Sequence, residues 1–177
     1  MIFPIIALLL SQAAPAPQLS DEAVRHEVQT LLNNIDTRNL AGSWKALGPR
    51  AADVLEPVAQ SAIELPSRRA KAVAGLVLAA PDRAAPVVTQ LALDEAQPKI
   101  VRMAALRGMA STVPAKTAAK SVAKVLHGAP DPAMRGLAAE MVAASGSSGC
   151  AEVKAQVARE EPSLRFAYSR ALAQCKE

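Results

Sequence analysis

PDPAMRGLAAEMVAA, residues 130–144, opens on Pro130-Asp131-Pro132 and runs into a series of alanines, and its outline recurs further up the chain. Asp131 is a good N-cap because its carboxylate can accept from the amides of the first turn, and a proline at the first helical position gives up no hydrogen bond. Alanine has the highest intrinsic helix propensity. The stretch therefore predicts a helix opening at Pro132. A proline followed by an arginine three or four residues later also begins PSRRAKAVAGLVLAA at Pro66, PKIVRMAALRGMA at Pro98 and PSLRFAYSRALAQC at Pro162. With Arg69, Arg102, Arg135 and Arg165 as anchors, the spacings are 33, 33 and 30 residues. Val73, Leu106, Ala139 and Ser169 follow their anchors by four residues and Leu76, Met109, Val142 and Leu172 by seven, which sets both groups on one helical face.

Between these helices lie second ones: DRAAPVVTQLALDE from Asp82, PAKTAAKSVAKVLHG from Pro114 and SGCAEVKAQVARE from Ser148. Upstream, TRNLAGSWKALGPRAADVLEPVAQSAIE from Thr37 has the same outline, with Pro57 predicting a kink or a late helix start. SDEAVRHEVQTLLNNI, with Ser20 ahead of Asp21 and Glu22, reads as an N-terminal capping helix within residues 17–36. A hairpin of about thirty residues cannot bury its apolar face alone and must stack on its neighbours. Composition agrees: 51% of residues are hydrophobic but only 2% aromatic, so the apolar content is mostly small aliphatic side chains. The expected fold is an all-α solenoid over residues 37–177, with about four hairpins and an incomplete last unit that lacks its second helix.

The segments DPAMRGLAA at 131–139, VRMAALRGM at 101–109 and ALGPRAADVL at 46–55 resemble HEAT repeats of the bacterial type. That resemblance implies an armadillo-like helical scaffold that binds proteins. It also implies that Arg69, Arg102, Arg135 and Arg165 bond to backbone or acidic groups of the adjoining repeat as a ladder that fixes the stacking. A line of guanidinium groups that binds phosphates or carboxylates is the alternative. In HEAT-like stacks the second helices usually line the concave side, and there Lys116, Lys120 and Lys124 follow at every fourth residue, continued by Lys154 and Arg159. They are candidates for meeting an acidic protein partner; the alternative is a solvated face.

The N-terminus, MIFPIIALLLSQAAPAPQLS, has an apolar run over residues 2–10, then Ser11-Gln12-Ala13 in the small-x-small form of a cleavage site, and no charged side chain through residue 16. It reads as a secretory signal with a short linker over residues 1–16, placing the chain in the periplasm or outside the cell. The run is too short to span a bilayer, which takes ~20 apolar residues, so no stable membrane span is expected once it is removed; a retained anchor is the alternative. Twenty basic residues against 16 acidic ones give a formal net charge of +4. A nucleic-acid partner is not expected in that compartment, and beyond the signal only Trp44, Phe166 and Tyr168 could stack on bases.

Cys150 and Cys175 are the only cysteines, one at the start of a second helix and the other at the end of the next first helix. Antiparallel neighbours bring those ends to one edge, so a disulfide is expected, with two free thiols as the alternative. Catalytic signals are absent: His26 and His127 lie on different helices without metal-ligand spacing, and no nucleophile elbow, phosphate loop or dinucleotide fingerprint occurs. SGSSG at 145–149 reads as a turn. No catalytic, metal or cofactor residue is expected. Trp44 is expected to seal the cap against the repeats, or else to be an exposed anchor, and one of Phe166 and Tyr168 to stay exposed. The resulting functional expectation is an exported binding scaffold or adaptor. A structural module of an envelope complex and an enzyme resembling the HEAT-like lyases are the alternatives.

Overall fold

A computed structural model describes residues 19–35 and 40–175; the apolar segment of residues 1–16 and the start of the unit at Thr37 lie outside them. Among the described residues the chain forms helices and no strand: α1 (Asp21–Asn33), α2 (Leu40–Leu47), a 3-10 turn (Gly48–Ala51), α3 (Ala52–Gln60), α4 (Pro66–Ala79), α5 (Pro81–Leu93), α6 (Lys99–Thr112), α7 (Ala115–Gly128), α8 (Pro132–Ala143), α9 (Ser147–Arg159), a 3-10 segment (Pro162–Tyr168) and α10 (Ser169–Gln174). The start signals act locally. Asp131 accepts from the amides of Ala133 at 2.9 Å and Met134 at 3.3 Å, and Pro66, Pro81 and Pro132 each open a helix. No described helix is long and apolar enough to cross a membrane.

The first helices α4, α6 and α8 pack side by side as one layer, and the second helices α3, α5, α7 and α9 as another. The most extensive packing joins a second helix to the first helix of the next unit, α5 on α6 and α7 on α8, and α3 packs on α4 in the same way. Small side chains at these faces, Ala84 and Ala92 on α5, Ala105 on α6, Ala118 on α7 and Ala138 on α8, are sealed from solvent and let the backbones approach. One core runs through Val73, Leu76, Val88, Leu106, Met109, Val122, Leu126 and Val142. Burial of each of the larger side chains stabilises the fold by about 1.5–3 kcal/mol relative to exposure. The result is an all-α, solenoid-like stack.

At the N-terminal end α1 covers the stack, held by Arg68 to Gln29 and Asn33 and by the Lys71 ammonium, which donates to the carbonyls of Leu32 at 3.2 Å and Asn34 at 2.6 Å. Trp44 is buried, its indole lying flat over Gly75, where a Cβ would come within 3.0 Å of the ring. It is a core residue. The helix α3 passes through Pro57 instead of starting after it, leaving the carbonyl of Asp53 without the donor that proline lacks.

The C-terminal unit departs from the expected register. Residues 162–168 wind as a 3-10 segment with three residues per turn, so the positions that turn inward lie three and six residues past Arg165: Tyr168 and Ala171. Ser169 is exposed and Leu172 half-buried, a slip of one place from the face shared by the other copies. Phe166 remains 72% exposed while Tyr168 is fully buried. In SGSSG only Ser145 and Gly146 form the turn, because α9 begins at Ser147.

The terminal segment approaches α8 closely at Gly136, where a Cβ would sit 2.2 Å from the carbonyl oxygen of Ala167. A backbone atom cannot swing aside as a side-chain tip can. Gly136→Ala should destabilise the fold by about 2 kcal/mol and lower the thermal midpoint accordingly. A variant melting with the wild-type protein would show that the segment does not lie this close.

Candidate functional site

The four anchoring arginines lie along the edge where second helices end. Arg69 Nε donates to the carbonyl of Ala59 at 3.1 Å and Arg102 Nε to that of Ala92 at 3.3 Å. Arg135 Nη1 donates to that of Ala129 at 2.6 Å and Arg165 Nε to that of Glu160 at 3.2 Å. Each of these carbonyls lies in the last turn or at the cap of the preceding second helix, where no intrahelical donor remains and the helix dipole favours a cation.

The outer sides of the guanidinium groups differ. Arg69 donates to the side-chain carbonyl of Gln97, whose amide nitrogen is held by Asp94 at 2.7 Å. Arg135 forms a two-pronged pair with Glu160, Nε to one oxygen and Nη2 to the other, both at 2.8 Å. Arg102 makes no second hydrogen bond among the described residues, although its charge helps to lower the Asp94 carboxyl. The residues capping the C-termini of α5, α7 and α9 are Asp94, Ala129 and Glu160, and only Ala129 brings no polar side chain.

Around Arg135 the pairing extends into a network. The side chains of Arg135 and Glu160 are 11% and 8% exposed. The Tyr168 hydroxyl donates to Glu160 at 2.6 Å and the Gln156 amide donates to the same oxygen at 3.0 Å. Arg135 holds the Glu160 carboxyl down at about 2, against the upward push of burial and with help from Tyr168 and Gln156. The carbonyl of Gln156 lies 2.9 Å from His127 Nδ1, and Glu152 lies 2.9 Å from His127 Nε2. First Gln156 and then Glu152 favour the protonated ring, so the imidazole titrates above its ordinary value. His127, exposed at the end of α7, is thus one link in a polar chain from Tyr168 to Glu152. Among the described residues no group of three or more His, Cys, Asp or Glu could hold a metal ion.

Cys150 on α9 and Cys175, which ends α10, form a disulfide with Cα atoms 5.5 Å apart. It lies at the opposite end of α9 from Glu160, so the terminal unit is fastened at both ends.

The basic candidates separate into different places. Lys116, Lys120 and Lys124 are exposed on α7, yet only Lys116 and Lys120 line a groove against α9, which they share with Glu152. Lys124 lines another cavity, with Arg102 and Glu95. Lys154 and Arg159 are exposed on α9; Arg159 sits close enough to His127 to oppose its protonation, while Lys154 lines neither space. None of the five forms an ion pair among the described residues. Toward the N-terminus the same layer carries more acid than base, with Arg83 on α5 bonded to both Asp53 at 2.6 Å and Glu56 at 2.7 Å on α3.

These features define an all-helical stack with a locked C-terminal unit and an uncompensated basic helix. The chain matches no family model, no curated protein and no solved structure, so geometry alone carries the functional reading.

Proposed function

We propose that this chain is an exported binding scaffold of the HEAT-repeat type that holds an acidic protein against the second-helix side of its stack. The observation that carries the reading is the row of exposed lysines on α7 left without acidic partners, in contrast to Arg83 on α5, which Asp53 and Glu56 both meet. Like charges on one helix repel one another and cost the isolated chain free energy, which an acidic partner would return. The disulfide favours an oxidising compartment, in keeping with removal of residues 1–16 as a signal.

The test is retention of acidic proteins from an envelope extract by immobilised wild-type chain and by the Lys116→Glu, Lys120→Glu, Lys124→Glu variant. The wild-type chain should retain a defined acidic protein that is released near ~1 M salt, where the Debye length falls to ~3 Å, and the variant should retain roughly a tenth as much. Equal retention by both would remove the lysine row from binding.

A further inference from the structure

The contrast among the arginines points to a ligand. Successive units place a guanidinium between the end of one second helix and the end of the next. Arg135 receives a carboxylate from the second of those ends, Glu160, and Arg69 receives Gln97 braced by Asp94. At the corresponding place opposite Arg102 the chain has Ala129, whose side chain stops at Cβ. Arg102 is nevertheless buried, at 9% exposure, with only its Nε hydrogen-bonded; Asp94 lies near enough to feel its charge but makes no hydrogen bond to it. A buried guanidinium is costly unless its charge is met by an acceptor.

What lies in front of Arg102 is a cavity of about 360 Å3 lined by Leu93, Glu95, Ser121, Lys124, Val125 and the turn from Gly128 to Pro130. Two cations and one carboxylate, Glu95, thus line one small space whose walls are polar and apolar in about equal measure, and Lys124 forms no ion pair among the described residues. Glu95 is exposed, as Lys124 is, and forms no ion pair with Arg102 or Lys124, so the lining carries a net charge of one positive unit. We propose that this cavity is a carboxylate-binding site in which Arg102 grips the two oxygens of the ligand as Arg135 grips Glu160, with Lys124 as the second cation. The planar fork of arginine suits the two oxygens of a carboxylate, and the intact example one unit away gives the geometry. The carboxylate could belong to a small free acid or to an acidic side chain of a bound protein. The site goes beyond the scaffold reading, because a small acid would occupy it with no partner present.

The test is a titration of the oxidised, 15N-labelled full chain at constant ionic strength, read at the Arg102 Nε–H signal and at the amides of Gly128 and Ala129. The probes are acetate, the α-amide of N-acetylglutamate, and inorganic phosphate. The expected result is a saturating shift with acetate or the glutamate derivative at roughly millimolar concentration, and weaker binding of phosphate. Equal affinities for the first two probes would assign the site to small acids, and a preference of roughly tenfold or more for the glutamate derivative to an acidic side chain; either supports a carboxylate site. Ala129→Glu, which installs the side chain Glu160 supplies one unit on, should abolish the shift and raise the thermal midpoint. That variant keeps Lys116, Lys120 and Lys124, so loss of the carboxylate site and loss of acidic-partner capture are distinguishable. Arg102→Lys, which keeps the charge but not the fork, should bind roughly tenfold more weakly. The proposal is overturned by an unresponsive wild-type chain, by tighter binding of phosphate, or by an Ala129→Glu chain that still binds acetate. It is also overturned if acetate binds only after Glu95→Ala, since Glu95 would then fill the fork itself.

Discussion

Removing the disulfide by Cys150→Ser with Cys175→Ser should lower stability by roughly 3–4 kcal/mol, the loop-closure entropy for a separation of 25 residues. The size follows from what the bridge closes. The loop contains most of α9, the 3-10 segment and α10, which among the described residues pack on the stack from one side, chiefly against α8. The reduced wild-type chain should melt at the same temperature as the double serine variant, and oxidised wild type roughly 6–16 °C higher. Oxidised and reduced chains melting together would show that the terminal unit holds without its bridge.

The second large effect is at the other end of α9. Glu160→Gln removes the carboxylate from Arg135, Tyr168 and Gln156 together while keeping the shape of the side chain. It should cost about 2–3 kcal/mol, the lower end for a buried pair, because Arg135 retains the carbonyls of Ala129 and Pro130. The effect has a pH signature. In the folded chain the Glu160 carboxyl titrates at about 2, against an ordinary 4.5. A carboxyl whose folded value is depressed contributes stability that is fully present above its unfolded value and is lost as pH falls through the folded one. Wild type should therefore lose stability between roughly pH 5 and pH 2 more steeply than the glutamine variant, and the two should converge at the acid end. Denaturant midpoints across that range provide the measurement, and parallel profiles would contradict the assignment.

Most of the fold was legible because it rests on local signals repeated in register. Asp131 with Pro132, Pro66 and the alanine-rich faces specify helices without help from the rest of the chain, and the spacing of 33 residues between Arg69, Arg102 and Arg135 announces the stacking. The pair of Cys150 and Cys175 followed from the same reasoning, since antiparallel helices bring their ends together. The register of the last unit was not legible. Its proline and arginine match the earlier copies, and only contact with Gly136 and burial of Tyr168 distinguish a 3-10 winding from an α-helix there.

The polar groups were harder to read for a related reason. Hydrogen bonds among Tyr168, Glu160, Gln156 and His127 join three elements, and no spacing along one helix reveals them. One signal was available: aligning the residues that end the second helices gives Asp94, Ala129 and Glu160, a series in which the middle member is the odd one. The lysines of α7 share a helix face, but the advance of the helix carries Lys124 into a different space from Lys116 and Lys120.

In a layered molecule each unit leans chiefly on its neighbours. Native-state hydrogen exchange on the disulfide-free variant, compared residue by residue with the oxidised chain, tests that most directly. Protection should fall roughly a hundredfold or more over residues 147–175 and by less than about threefold in α4 and α5. An equal fall at every protected amide would mean that the chain opens as one undivided body, contrary to a stack of units.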